Sequence, residues 1–146
     1  LIPNIFYELY SKVLNMNNKL DIIFAEISAG ELIDKITILE IKLTKISNNE
    51  KLNEIKKELS SLNETLKKFI PELDEIKTYI DELKKINLKL WDIEDGKRAA
   101  EKNKKFDDKF IELARNVYKF NDERAKIKLS INNALGSNIK EVKSHE

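Results

Sequence analysis

From Leu73 to Ala134, apolar side chains recur alternately three and four residues apart in two long segments. Leu73, Ile76, Ile80, Leu83, Asn87, Leu90 and Glu94 keep that spacing without a slip. So do Phe106, Phe110, Leu113, Val117, Phe120, Arg124, Ile127, Ile131 and Ala134. The spacing predicts two long helices, each with one stripe directed at a neighbour. An earlier stripe, Leu32, Ile36, Leu39, Leu43 and Ile46, is widened by Ile33, Ile38 and Ile41. That first helix should therefore be buried on more than one side, by a bundle, by the N-terminal arm or by a second subunit. The second helix carries Leu52, Ile55, Leu59, Leu62, Leu66 and Phe69.

Boundary signals agree with these stripes. Ser28-Ala29-Gly30-Glu31 matches the S-x-x-E capping box, in which the two side chains satisfy each other's orphan backbone donors. The first helix is thus expected from about Ala29 to Ile46. Ser47-Asn48-Asn49-Glu50 repeats the signature before the second helix. Ile70-Pro71 closes that helix, because a residue before proline is pushed out of helical geometry, and Pro71 suits the start of the third, expected from about 71 to 103. Gly96 is a soft spot within it, costing about 1 kcal/mol relative to alanine. The fourth helix begins near Phe106-Asp107 and stops at Gly136. Before the capping box, residues 3 to 16 read as a short amphipathic helix. Asp21 to Ile27 is the one strand-like segment, either an arm over the bundle or a strand that pairs in an oligomer.

The expected architecture is all-α: an antiparallel up-and-down bundle of about four long helices with coiled-coil-like packing. It divides into an N-terminal helix and extended arm (1–27), the bundle (28–136) and a mobile tail (137–146). The third and fourth helices are longer than the others, so their shared end should project or be covered by residues 1 to 25 or another subunit.

Composition narrows the function classes. Charged residues form 36% of the chain, yet 27 Lys and Arg against 26 Asp and Glu leave a net charge of only +1. Dense, balanced charge suits exposed helix faces and argues against nucleic acid, which calls for a basic surplus. With no cysteine, disulfides and thiolate chemistry are excluded. No apolar run approaches the ~20 residues of a membrane span, and no signal peptide is apparent, so a cytoplasmic location is the expectation. His145 is the only histidine and lies in the tail, which removes histidine-based catalysis and His-rich metal sites. No Gly-rich phosphate loop or nucleophile elbow occurs.

What remains are polar residues on apolar stripes. Asn87 and Glu94 interrupt the third helix and Arg124 the fourth. A hairpin turning near residues 104 and 105 sets Glu94 level with Arg115, and Asn87 level with Asn121 and Asp122, within reach of Arg124. Glu40 of the first helix comes to roughly the level of Arg124. Glu40, Asn87, Glu94, Arg115, Asn121, Asp122 and Arg124 thus form a candidate ligand-binding set. One reading is a buried network that fixes helix register; the other is an anion pocket built on Arg115 and Arg124. Glu31 and Asp34, three apart on one helix face, could hold Mg²⁺ if another helix supplied further oxygens, or could complement the helix dipole. Trp91, beside Asp92, Glu94, Asp95 and Arg98, reads as a core aromatic or an interface anchor.

Several blocks carry a resemblance: Gly30-Glu31-Leu32-Ile33-Asp34-Lys35-Ile36-Thr37-Ile38-Leu39-Glu40-Ile41-Lys42, Leu90-Trp91-Asp92-Ile93-Glu94-Asp95 and Phe110-Ile111-Glu112-Leu113-Ala114-Arg115. Val117-Tyr118, Asn121-Asp122 and Gly136-Ser137 extend it. Together they resemble a small domain-of-unknown-function family of bacteria and phages, from about Ile22 to the C-terminus. Gly96 stands where that family carries a bulkier residue. The resemblance implies an α-helical protein and supplies no established activity, ligand or catalytic residue, and cofactors stay unknown. Glu31-x-x-Asp34 is also similar to the first metal motif of all-α nucleotide pyrophosphohydrolases, but the adjacent Glu-Glu pair of their second motif is absent. The Leu32 to Ile36 opening resembles helical chorismate mutases, which need more cations than Arg98, Arg115 and Arg124 provide.

The leading expectation is therefore a non-enzymatic module that binds another protein or self-associates as a dimer, without nucleic acid or membrane. The alternative is a small-molecule or Mg-dependent enzyme acting on a phosphorylated or dicarboxylate substrate.

Overall fold

The computed structural model describes residues 20–143, together with Ile5, Phe6, Glu8, Leu9 and Ser11. Four α-helices make up the described chain: α1 (Ala29–Lys45), α2 (Asn49–Phe69), α3 (Lys77–Lys102) and α4 (Asp108–Ala134). A single 3₁₀ turn, Asp74–Ile76, precedes α3, and no strand occurs among the described residues. The protein is an all-α bundle.

Each start has a local cause. Ser28 Oγ accepts from Glu31 N at 3.1 Å and opens α1. Asn48 Oδ1 accepts from Lys51 N at 3.0 Å, and Asp107 Oδ1 from Phe110 N at 3.2 Å. That bond holds the exposed Asp107 carboxyl below its ordinary value. Gly136, at φ 62°, takes the left-handed conformation that ends the α4 region. The third helix begins later than proline placement predicts. Pro71 to Leu73 carry no helix, and the 3₁₀ turn drives Ile76, fully buried, into the core before α3 proper starts. Burial of that side chain outweighs the preference of Pro71 for a first helical turn.

α1 is the hub and packs against all three other helices. Gly30 meets Asn132, and Asp34 meets Arg124, so α1 runs antiparallel to α4. Asp34 meets Asn87, and Lys45 reaches Asp92 at 3.2 Å, so it runs parallel to α3. α2 lies along α1, and only its end, at Leu66, reaches the core formed by Ile33, Ile76, Leu83 and Ile131. The wide apolar face of α1 is explained by these three partners within one chain. With 26 and 27 residues against 17, α3 and α4 are each about 40 Å long and α1 about 25 Å. Phe106 (51% exposed) lies bare at the far end of this long hairpin.

Gly96 faces Leu113 across the α3–α4 seam, where an added Cβ would come 2.9 Å from the end of that flexible side chain. Leu113 can turn aside, and alanine gains helix propensity of about 1 kcal/mol. Gly96→Ala is therefore expected to leave the thermal midpoint unchanged or raise it by a few degrees. A drop of several degrees would mean the seam is too tight to adjust.

The segment before α1 behaves differently from the bundle. Residues 20–28 carry no regular structure, and Ile5, Phe6, Glu8, Leu9 and Ser11 are helical; the rest of the helix expected over 3–16 lies outside the described residues. Leu20, Ile22, Ile23 and Phe24 are 79–89% exposed, so the arm does not lie over the bundle. At the other end, residues 137–143, expected as a mobile tail, carry no regular structure but return along α4; His145 lies outside the described residues.

Candidate functional site

Gly30, Asp34, Thr37 and Ile41 follow the same three-and-four spacing and share the face of α1 directed at α3 and α4. Asp34 is only 1% exposed. Arg124 grips its carboxylate with both forks of the guanidinium, Nε to Oδ1 at 3.0 Å and Nη2 to Oδ2. Asn87 Nδ2 donates to the same Oδ1 at 2.8 Å and to Thr37 Oγ1 at 2.9 Å. Thr37 in turn donates its hydroxyl to the Asp34 carbonyl at 2.8 Å. Two-pronged pairing of this kind is the strongest geometry available to a carboxylate. The hydrogen bonds that Arg124 donates to Asp34 raise its own pKa above the ordinary value, against the opposing effect of burial. The cluster is closed and neutral: both oxygens of Asp34 are taken, so no free acid or nucleophile is left in it.

A second layer lies one turn towards the start of α1. Lys128 Nζ donates to Glu31 Oε2 at 2.6 Å and to Glu141 Oε2 at 2.7 Å, with the lysine side chain 11% exposed. Burial works against its charge, yet Glu141 and Glu31, with Asp34 behind them, outweigh it and raise the Lys128 value. Beside it the first amides of α1 find side-chain oxygens from the far end of the chain. Gly30 N donates to Asn132 Oδ1 at 2.7 Å, and Ala29 N to Ser137 Oγ at 3.1 Å. The N-terminus of α1 is capped from within the molecule.

The residues singled out by sequence are thus redistributed. Asn87 and Arg124 come together, but on Asp34. Glu40 pairs instead with Lys84 at the surface, at 2.6 Å. α1 enters the groove of the α3–α4 hairpin about a turn and a half off the register expected, which places Asp34 where Glu40 was expected. Glu94 bonds Lys97 at 2.9 Å on an exposed face, and Arg115 is exposed on α4 beside Asp108 and Glu112. Asn121 and Asp122 line a cleft on another part of α4, where Lys143 pairs with Asp122. Trp91 is half-buried. Glu31 and Asp34, the candidate metal pair, are engaged by different cations, and among the described residues no three Asp, Glu or His side chains converge on one point. Sequence reasoning missed Thr37, Lys128, Asn132, Ser137 and Glu141.

All of these contacts, from Ala29 to Lys143, fall inside the stretch that matches the model of a family of unknown function, DUF6165, over residues 23–146. The chain belongs to that family. No curated protein and no solved structure matches it. The match takes in the arm from Ile23, all four helices and the returning segment, so the Asp34 cluster and the Lys128 pairs belong to the family's own span rather than to an appendage.

Proposed function

We propose that the chain is a non-enzymatic module that acts by associating with a second copy of itself through the arm before α1. One observation carries this reading: Leu20, Ile22, Ile23 and Phe24 stand 79–89% exposed on backbone without regular structure. Ile22 and Phe24 would share one face of an extended segment and Ile23 the other, so both faces are apolar. Burying each such side chain is worth about 1.5–3 kcal/mol, and four together offset much of the roughly 4–15 kcal/mol cost of association. Ile5, Phe6 and Leu9, also ahead of α1 in the chain, are 53–68% exposed. The closed state of the Asp34 cluster favours this reading over a Mg-dependent or anion-transforming enzyme, because its carboxylate and its arginine neutralise each other.

Light scattering coupled to gel filtration across the micromolar range is the test. The wild-type chain is expected at twice its monomer mass, and Ile22→Asp/Phe24→Asp at monomer mass with an unchanged helical spectrum and melting temperature. A wild type that stays monomeric at the highest concentration would sink the proposal.

A further inference from the structure

The returning segment 137–143 does not lie flush on α4. Between them is a cleft of about 570 Å³, walled by Glu141 and Lys143 and floored by Ala125, Leu129 and Asn132 of α4. A space of this size suits a small organic ligand. Its floor is partly apolar, with Leu129 41% exposed, and Lys128, Asn132 and Glu141 lie among its polar lining residues.

Two of those groups are poised for an acceptor. Lys128, whose ammonium is nearly buried, has Glu31 of the bundle as one partner and Glu141 of the segment as the other. The two carboxylates differ in kind. The Glu31 side chain is 30% exposed on a rigid helix, whereas that of Glu141 is 64% exposed on backbone without regular structure. An ion pair with so exposed a partner contributes little to stability, so it can be exchanged for another carboxylate at small cost. The second group is Asn132, 1% exposed. Its Oδ1 is used by Gly30 N, while its Nδ2 donates to no group among the described residues. Asn132 is one of the residues that line the cleft, so an acceptor bound there lies next to this amide.

We propose that the cleft is a binding site for a small aliphatic carboxylate, which displaces Glu141 from Lys128 and takes the free amide hydrogen of Asn132. The hydrocarbon part lies on Ala125 and Leu129, and Glu141 is the site's built-in competitor. Charge alone would not select such a ligand, since Asp122, Glu141 and Glu31 balance Lys126, Lys128 and Lys143. Selection comes from one nearly buried ammonium and one amide donor at the end of an apolar floor.

The test is an NMR titration of the full chain with hexanoate, following the side-chain amide of Asn132, with hexanol as the neutral probe of equal length. Saturable movement of that amide by hexanoate and not by hexanol is expected. Glu141→Gln removes the competitor without touching the floor and should tighten hexanoate binding at least about threefold, because the competent state no longer has to be freed first. Lys128→Met should abolish binding. Equal response to hexanol, unchanged or weaker binding by Glu141→Gln, or no movement of the Asn132 amide in either protein would each overturn the proposal. The Glu141→Gln arm keeps the test decisive should Lys128→Met fold poorly.

Discussion

Replacing Arg124 with methionine is expected to lower the unfolding free energy by about 3–5 kcal/mol, which is what stranding one member of a buried ion pair costs. The two members of the pair are unequally buried. The Asp34 side chain is 1% exposed and the Arg124 side chain 28%. When the guanidinium goes, Asp34 keeps only Asn87 and cannot reach water, so the charge is left in the core. When the carboxylate goes instead, Arg124 can swing outwards, and Asp34→Leu should cost less. Replacing both, Asp34→Leu with Arg124→Met, removes the stranded charge along with its partner and should recover most of the loss. Thermal melts of the four proteins read this cycle. In a domain of this size each kcal/mol moves the midpoint by about 2–4 °C, so Arg124→Met should melt roughly 6–20 °C below wild type. A loss under about 1 kcal/mol for Arg124→Met would show that Asp34 reaches water or a proton by another route.

Gly30→Ala is the second large effect, and its direction runs against helix propensity. Within a helix the change ordinarily gains about 1 kcal/mol. Here a Cβ at position 30 would lie 2.5 Å from the Lys128 carbonyl oxygen and 2.9 Å from Asn132 Oδ1. The first of these is backbone in the middle of α4 and cannot rotate away as Leu113 can for Gly96. α1 must move off α4, stretching the Gly30–Asn132 bond and pulling Asp34 from Arg124. Overpacking of this kind costs about 1–3 kcal/mol, and the weakened ion pair adds to it. Circular dichroism melts of the two glycine variants side by side check the contrast: Gly30→Ala well below wild type, Gly96→Ala level with it or above. Equal midpoints would mean that α1 and α4 are not held as closely as the Gly30–Asn132 bond implies.

Periodicity made the helices legible because the forces that place them are local. Stripes, capping side chains and Gly136 located three helices to within a few residues. They misplaced the start of α3, where a distant demand, the burial of Ile76, decided the outcome. The site was harder to read. Asn87 and Arg124 stood out as polar residues on apolar stripes, and the structure does bring them together. Asp34 lies on an equally continuous line, Gly30, Asp34, Thr37 and Ile41, but α1 is apolar nearly all round, so that line did not stand out from its neighbours. Its place near the start of the helix also offered a dipole explanation that hid it. Pairing Glu40 with Arg124 assumed that α1 keeps level with the hairpin, and level is set by crossing angle, which side-chain spacing within one helix does not encode. Lys128, Ser137 and Glu141 owe their roles to a chain reversal after Gly136, for which periodicity offers no signal.

The capping of α1 by residues 128–137 also has a consequence for the order in which the molecule can be made. Asp34 and its arginine are 90 positions apart, and Gly30 and its asparagine 102. On a ribosome adding about 5–20 residues per second, α1 waits roughly 5–20 s before its partners on α4 exist. The α3–α4 hairpin, whose contacts close a short turn, completes itself as soon as α4 is out. The groove between α3 and α4 therefore closes only after α4 is made, and α1 can settle into it only then.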